Sequence, residues 1–314
     1  GGYRPAGGGD NEGTNQPIPN ITGSHTITNN LIEHNGASGI QGYVASPDFE
    51  VSGNIIQNNG YIGCAGAENA GVKTHGFQGK FERNVITNNS NGVPAWFDSG
   101  ANNARISRNV FVVPPGMQSS GLVFELTDGP VLFDNNFVMG SFVKGGGAGV
   151  ASQDAANITL THNLITGFTD VATVALGGLT GRKINEKTAS LRDWYVAANV
   201  LLSNGHTPWM TMHNEKHDGS YELVFNETAT HNIVIGGVAQ YPLPPPDLKI
   251  DVSGNNNASG GLFNASFDRG SFTLSLWRDG RTQSGCTVGG PGGDIDFSGN
   301  LRSKITCVAG PLAT

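Results

Sequence analysis

Charged residues are scarce in this sequence, and it contains neither a long apolar run nor a basic cluster. Charged side chains make up 14% of the 314 residues, whereas the surface of a helical enzyme usually carries many Glu, Lys and Arg residues. Because no stretch of about eighteen apolar residues occurs, no transmembrane helix is predicted. A formal net charge of −7 without basic patches argues against a nucleic-acid partner. The same charge balance is compatible with a neutral sugar as ligand.

Cysteine is also rare, with three residues in the chain. Cys286 and Cys307 both lie in the loop-rich C-terminal part and could form a disulfide, which would leave Cys64 as a buried free thiol. Their spacing matches no zinc site. Because the chain starts at Gly1 without a methionine, we interpret it as a mature or trimmed protein in which any signal peptide is invisible. Separately, we predict that the protein is secreted and extracellular.

Glycine is abundant, at 47 residues, and a short phrase recurs along most of the chain. Each copy has a β-prone run, then an asparagine, then two or three apolar residues, as in "HTITNNLI", "KFERNVI" and "ARISRNVF". The anchoring asparagines are Asn30, Asn54, Asn84, Asn109, Asn136, Asn163, Asn199 and Asn232. Their successive spacings are 24, 30, 25, 27, 27, 36 and 33 residues.

A period in the mid-twenties combined with short strands is typical of a stacked solenoid. A leucine-rich repeat would need leucines at fixed offsets and a helical stretch, and the sequence has neither. Asparagine tolerates left-handed backbone at a turn, and its amide can pair with the asparagine of the next coil. We therefore predict an all-β protein, a single right-handed parallel β-helix with a core of Ile, Val, Leu and Phe.

The chain is treated as one domain, residues 1–314. We divide it into an N-terminal segment over 1–20, main coils over 21–240 and irregular C-terminal coils over 241–314. The stretched spacings in the last third predict loop insertions at 167–195 and 203–230.

The second insertion contains a cluster of three histidines and a tryptophan, namely His206, Trp209, His213 and His217. Their spacing is irregular and no carboxylate is clearly placed beside them, so a metal site is not expected. No other cofactor is indicated by the sequence.

Three consecutive coils differ from the bland pattern of the others, and they read "GAENAGVKTHG", "VPAWFDSG" and "GLVFELTDGP". Because the inside of a solenoid is packed, chemistry has to be displayed on the outer face of a sheet. The candidate side chains in these coils are Glu68, Lys73, His75, Trp96, Asp98, Glu125 and Asp128.

Alternation along the strands assigns several of these side chains to one outer face. Phe97 is the natural core residue of "AWFDS", so Trp96 and Asp98 point outward, and the same reasoning turns Glu125 and Lys73 outward. Lys73 and Asp98 are 25 residues apart, and Asp98 and Glu125 are 27 apart, each about one coil. We therefore predict that Lys73, Asp98 and Glu125 stack in one column.

The predicted column has a chemical consequence. Neighbouring parallel strands lie about 4.8 Å apart, which would place Asp98 and Glu125 at the separation of about 5–5.5 Å found in retaining glycosidases. Two carboxylates this close cannot both ionise easily, so the pKa of one must rise. With Lys73 beside Asp98, we assign Asp98 as the nucleophile and Glu125 as the protonated acid. Trp96 would offer a flat surface for a sugar ring.

Two further residues are weaker candidates for contact with a substrate. His75 is expected to be a turn residue or a substrate contact rather than a catalyst. Arg182, in "LTGRKIN", either reaches over the cleft from the first insertion or is an ordinary surface arginine.

The segments "ENAGVKTH", "PAWFDSG" and "LVFELTDGP" resemble the carbohydrate-active β-helix proteins related to glycoside hydrolase family 120, the β-xylosidases. Members of that group carry a Gly-Ile-Lys coil, a Trp-Leu-Asp coil and a Glu followed shortly by Gly-Pro. The resemblance covers roughly residues 20–200. It implies a pectate-lyase-like solenoid, Asp98 as nucleophile and Glu125 as acid/base, with Lys73 and Trp96 in the sugar subsite. Where the family has a second aromatic residue after the aspartate, this chain has Ser99.

Three functions are compatible with the sequence. The leading prediction is a secreted, retaining glycoside hydrolase acting on plant or microbial polysaccharides or oligosaccharides. The first alternative is a polysaccharide lyase or epimerase acting on uronic-acid polymers, which needs a cation such as Ca²⁺ and a base. Two acids for one lysine in the column would repel a uronate unless calcium intervened. The second alternative is a non-catalytic surface β-helix that binds glycans through Trp96.

Overall fold

The fold is described from a computed structural model of the chain. The described residues are 24–43, 48–62, 69–90, 92–141, 147–168, 174–179, 182–184, 187–202, 210–215, 227–230, 232–235, 250–251, 256–257, 263–268 and 273–278. Their regular secondary structure is entirely β, and they include no helix that is long and apolar enough to cross a membrane. The segment 1–20 and all three cysteines lie outside these residues, so the proposed disulfide stays a prediction.

Most strands are short, with three to six residues each. Those of the first half are β1 (Thr26–Thr28), β2 (Leu31–Glu33), β3 (Ile40–Tyr43), β4 (Glu50–Ser52), β5 (Ile55–Gln57), β6 (Ala70–His75), β7 (Gly79–Glu82), β8 (Val85–Thr87), β9 (Val93–Asp98), β10 (Ala104–Ser107), β11 (Val110–Val112), β12 (Leu122–Thr127), β13 (Val131–Asp134) and β14 (Phe137–Met139). Those of the second half are β15 (Val150–Thr161), β16 (Leu164–Thr166), β17 (Val174–Leu179), β18 (Lys183–Ile184), β19 (Lys187–Thr188), β20 (Arg192–Ala197), β21 (Val200–Leu202), β22 (Met210–Glu215), β23 (Glu227–Thr230), β24 (Ile233–Ile235), β25 (Ile250–Asp251), β26 (Asn256–Asn257), β27 (Phe263–Asp268) and β28 (Thr273–Arg278).

Equivalent strands of successive coils pair in parallel and form three sheets along the solenoid. The first sheet contains β1, β4, β7, β10, β13, β15, β20, β23 and β25. The second contains β2, β5, β8, β11, β14, β16, β21, β24 and β26. The third contains β3, β6, β9, β12, β15, β17 and β22. This architecture confirms the predicted all-β solenoid of parallel strands.

Two features depart from the simple stacking of three strands per coil. β15 has 12 residues and belongs to two sheets, because its first part pairs with β12 and its second part with β13. Two pairs are antiparallel, β18 with β19 and β27 with β28. The predicted domain division stays a prediction.

The eight predicted asparagines form a continuous ladder at the turn between the first and second sheets. At each step the backbone N–H and the side-chain amide both donate to the Oδ1 atom of the next asparagine, at 2.8–3.1 Å. From Asn54 onward the ladder is buried. A second ladder that the sequence reading missed joins Asn35, Asn59 and Asn89 after the second sheet.

The left-handed backbone expected of the ladder asparagines lies one residue earlier. Positive φ values of 55–68° occur at Asn29, Gly53, Arg83, Arg108, Asn135, His162 and Ala198. The turn requires one such residue, and its position before the asparagine leaves the amide directed along the ladder. The expectation about the asparagines themselves is therefore wrong. A left-handed non-glycine residue costs about 1–2 kcal/mol, and the ladder hydrogen bonds offset that cost.

Aromatic rings fill much of the core together with Ile, Val and Leu, as predicted. Ring centroids of neighbouring residues lie 5.4–6.3 Å apart, in both edge-to-face and stacked arrangements. The contacting residues are Phe49, Phe77, Phe81, Phe97, Phe111, Phe124, Phe133 and Trp194. This packing holds the strands of the third sheet in fixed positions relative to one another.

Candidate functional site

The register of the third sheet decides which polar side chains are neighbours. Asp98 on β9 pairs with Glu125 on β12, as the sequence predicts, and Glu125 pairs with Gln153 on β15. On the other side, Asp98 pairs with His75 of β6. The row of polar positions is therefore His75, Asp98, Glu125 and Gln153.

The predicted place of Lys73 in this row is wrong. Lys73 pairs with Trp96 in the strand register, two residues before the position that faces Asp98. The coil from His75 to Asp98 has 98 − 75 = 23 residues, whereas the coil from Asp98 to Glu125 has 125 − 98 = 27. Because the loops between strands differ in length, residue counting alone cannot fix the register.

The predicted faces are correct, and the acidic pair is more enclosed than an open outer face. Phe97 and Phe124 are buried in the core, so their neighbours Asp98 and Glu125 point away from it. Asp98 is nevertheless only 6% exposed and Glu125 only 8%. Burial of this degree strengthens the interactions between charges at the site.

Lys73 lies between Asp98 and the indole ring of Trp96. Its Nζ atom is 2.8 Å from Asp98 Oδ2 and 3.1 Å from the ring centroid of Trp96. One face of the half-buried Trp96 ring is therefore occupied by the ammonium group, which corrects the expectation of a free platform. Only the rest of the ring remains for contact with any ligand.

Two further side chains contact Asp98. Ser99 Oγ donates a hydrogen bond to Asp98 Oδ1 at 2.9 Å. His75 Nδ1 lies 3.7 Å from Asp98 Oδ2. In the sequence Ser99 is marked only by its departure from a family pattern, whereas the structure shows that it contacts the carboxylate.

Arg182 reaches Glu125, which agrees with the first of its two sequence interpretations. Its Nη1 atom contacts Glu125 Oε1, and its Nε atom lies 2.6 Å from Asp154 Oδ2. Asp154 was not singled out in the sequence, although it is the only charged residue in the strand "VASQDAANITLT". The signal that could identify it is a single charged side chain in an otherwise uncharged strand.

The site raises the pKa of Glu125. Burial is the largest cause, and the negative charge of Asp98 adds to it. The hydrogen bond and charge of Arg182 and the charge of Lys73 act in the opposite direction and only partly offset the rise in pKa. Glu125 thus favours its protonated form more than an ordinary surface glutamate does.

Other sequence candidates do not join this cluster. Asp128 is half-exposed and forms an ion pair with Arg192, which also contacts Asp193 at 2.8 Å. Glu68 and three members of the His/Trp group (His206, Trp209 and His217) lie outside the described residues, as does the side chain of His213. Within the part of the chain that is described, no group of three or more His, Cys, Asp or Glu residues could hold a metal ion.

A further buried carboxyl group, which the sequence patterns do not indicate, lies in the first sheet. Glu227 accepts a hydrogen bond from the backbone N–H of Trp194 at 2.9 Å. Its other oxygen has no hydrogen-bond partner among the described residues. Burial raises the pKa of Glu227 to about 8, and the charge of Asp193 contributes to the rise.

Comparisons with known proteins add two similar structures. No family model and no curated protein matches the chain. XylC in complex with xylose matches with 14% identity and a TM-score of 0.45, over 91% of this chain and 50% of XylC. A mutant of the periplasmic alginate epimerase AlgG matches with 14% identity and a TM-score of 0.48, over 75% of this chain and 51% of AlgG. The chain spans about half the length of these two proteins.

Proposed function

We propose that the protein is a retaining glycoside hydrolase with Asp98 as the nucleophile and Glu125 as the general acid and base. The observation that carries the proposal is the direct pairing of these two positions on adjacent parallel strands. Strands in such a sheet are about 4.8 Å apart, which suits the carboxyl separation of about 5–5.5 Å in retaining enzymes. An inverting enzyme needs about 6.5–9.5 Å to admit a water molecule between substrate and base.

The surroundings of the two acids favour this division of roles. Glu125 has a raised pKa because of burial and of Asp98, which suits a group that donates a proton to the leaving oxygen. Asp98 has the Lys73 ammonium group against Oδ2 and the Ser99 hydroxyl on Oδ1. These contacts hold its carboxylate in one orientation for attack on a sugar carbon.

The proposed reaction has two steps. In the first, Asp98 bonds to the anomeric carbon while the glycosidic C–O bond breaks and Glu125 gives its proton to the departing oxygen. In the second, ionised Glu125 takes a proton from water, the resulting hydroxyl bonds to the anomeric carbon, and the bond to Asp98 breaks. The free enzyme is regenerated with Glu125 protonated.

The charge balance of the site supports a neutral sugar over a uronate. Two carboxylates, Asp98 and Asp154, and the protonated Glu125 lie with the side chains of Lys73 and Arg182. Each cation is already in contact with a carboxylate of the chain, so a uronate would bring a further negative charge to the site. We therefore place a lyase or epimerase second, and propose neutral polysaccharides or oligosaccharides as substrates, no cofactor, and action outside the cell.

The test is hydrolysis of aryl glycosides and of neutral oligosaccharides, with proton NMR of the first anomer released. Retention of configuration is expected. Asp98→Gly should abolish turnover, and added azide should restore cleavage of an activated aryl glycoside by replacing the carboxylate as nucleophile. Glu125→Ala should keep activity mainly on substrates whose leaving group needs no proton.

Asp128→Asn is the matched control, because Asp128 lies in the same coil as Glu125 but pairs with Arg192. It should retain activity. An unsaturated product that absorbs in the ultraviolet would favour the lyase instead. Glycan binding that is unchanged in Asp98→Asn, without turnover in the wild type, would support a purely binding role.

A further inference from the structure

We propose that Asp154 and Arg182 form a clamp that controls when Glu125 holds its proton, which makes Arg182 a positioning residue and not a sugar ligand. The inference deepens the proposed function and rests on it for its catalytic meaning. The effect of the clamp on the titration of Glu125 can be measured in the absence of any substrate.

The contacts of Arg182 show which carboxylate anchors it. The Nε atom lies 2.6 Å from Asp154 Oδ2, and the side chain of Asp154 is completely buried. The Nη1 atom contacts Glu125 Oε1. The third contact, from Nη2 to the carbonyl oxygen of Gln153, is long at 3.4 Å. One edge of the guanidinium is thus fixed by a buried anion, and another edge is presented to the proposed acid.

Asp154 occupies a backbone position that has an apolar residue one coil earlier. The pairing between β12 and β15 runs from Glu125↔Gln153 to Thr127↔Ala155 and omits Leu126 and Asp154. Both omitted residues have positive φ, 47° for Leu126 and 56° for Asp154. The kink therefore needs no acid, since leucine occupies it in β12.

A buried carboxylate is strongly unfavourable unless it is paired with a cation. The aspartate in β15 meets that requirement through Arg182. Because a leucine forms the same kink in β12, the role of Asp154 is to pair with the positive charge of Arg182 and not to shape the strand.

The clamp makes the two partners act on Glu125 in opposite directions. Arg182 favours ionised Glu125, whereas Asp154 withdraws part of the arginine's charge and adds a negative charge of its own. The other charged or titratable side chains near Glu125 are Asp98 on β9, and Lys73 and His75 on β6. These three groups are untouched by changes at Arg182 or Asp154, so they form a constant background.

The deciding experiment is a pH titration of the Glu125 carboxyl carbon by NMR in protein labelled with ¹³C-glutamate, without substrate. The resonance is assigned by its absence in Glu125→Gln. Arg182→Gln should move the midpoint to higher pH, and Asp154→Asn should move it to lower pH. An adjacent guanidinium typically changes the pKa of a carboxyl group by about 1 to 3, which such a titration resolves.

Opposite signs for the two variants are the expected result, since a purely structural role would not produce them. Arg182→Lys keeps the positive charge but lacks the second N–H group that allows the guanidinium to contact both acids. Its titration midpoint should lie between those of the wild type and Arg182→Gln. Arg105→Gln is the matched control, because Arg105 makes an ion pair with Asp134 elsewhere on the solenoid. It should leave the midpoint unchanged. Movement in the same direction, or none, for Arg182→Gln and Asp154→Asn would overturn the clamp.

Failure of the clamp can be distinguished from failure of the proposed function. If the protein hydrolyses glycosides, the basic limb of its kcat/KM profile should follow the NMR midpoints of the variants, because that limb reports the free enzyme, in which protonated Glu125 is the active acid. Opposite NMR shifts without any glycosidase activity would leave the clamp intact and refute the hydrolase. Hydrolysis of glycosides combined with unchanged NMR midpoints in the variants would refute the clamp and leave the proposed hydrolase intact. If Arg182→Gln does not fold, Asp154→Asn alone decides by the sign of its shift.

Discussion

Replacement of Asn109 by alanine tests the asparagine ladder at its centre. The buried side chain of Asn109 accepts hydrogen bonds from Asn84 N at 2.9 Å and Asn84 Nδ2 at 3.0 Å. Its own amide donates to Phe81 O at 2.9 Å and to Asn136 Oδ1 at 3.0 Å. Asn109→Ala removes these four bonds and leaves the backbone N–H of Asn84 without its ladder acceptor.

The expected loss of stability follows from this inventory. Four hydrogen bonds at a net value of about 1 kcal/mol each give about 4 kcal/mol. A stranded N–H group in a dry interior adds about 1–3 kcal/mol. A total of about 5–7 kcal/mol is a large part of the free energy of unfolding of a typical domain, which is about 5–15 kcal/mol. Urea unfolding followed by circular dichroism measures the difference.

Asn30→Ala is the control, because Asn30 is exposed and lies at the N-terminal end of the ladder. Its side chain donates to Thr28 O and to Asn54 Oδ1, and bonds near solvent are replaced by water at little cost. A loss of about 1 kcal/mol or less is expected. Equal losses for Asn30→Ala and Asn109→Ala would refute the idea that the buried ladder contributes more than ordinary surface hydrogen bonds.

Three further predictions concern other parts of the molecule. Burial raises the pKa of Glu227 from 4.5 to about 8, so this group ionises in the unfolded state at a lower pH than in the folded state. The free energy of unfolding should therefore fall by up to about 5 kcal/mol as the pH rises from 4.5 through 8. Glu227→Gln should remove this pH dependence, as measured by urea unfolding at several pH values. Ala198→Gly should destabilise the protein less than Ala197→Gly, because Ala198 has a φ of 55° and left-handed alanine is strained by about 1–2 kcal/mol. A larger drop in Tm for Ala198→Gly than for Ala197→Gly would contradict this. Lys73→Met should lower kcat about 100-fold or more by leaving Asp98 without its cation, and steady-state kinetics that show only a raised KM would contradict that role.

Residue patterns were sufficient to predict the parallel solenoid, the ladder and the pairing of Asp98 with Glu125. All three depend on features that recur once per coil, and a recurrent feature is visible in a single sequence. Alternation within strands also placed Phe97 and Phe124 inside, because the period of two is a property of the extended backbone.

The remaining parts of the site depend on loop lengths and on contacts between distant segments. Lys73 was misplaced because the coil before Asp98 has 23 residues, not 25. Asp154 was missed since its role exists only through Arg182, 28 residues later and in an insertion without a repeat. The position of the left-handed residues was also not predictable, because arginine, histidine and alanine occupy them as well as asparagine and glycine.

The long strand β15 determines where movement at the site can originate. After β9 a corner of residues 99–103 separates the third sheet from the first, and after β12 the corner is 128–130, whereas β15 passes from one sheet to the other without a break. Asp154 lies within that strand, between the part that pairs with β12 and the part that pairs with β13. Arg182 stands outside it, between β17 and β18. Because the side chain of Asp154 is completely buried and that of Arg182 is partly exposed, any adjustment during a catalytic cycle is expected at the arginine and not at the aspartate.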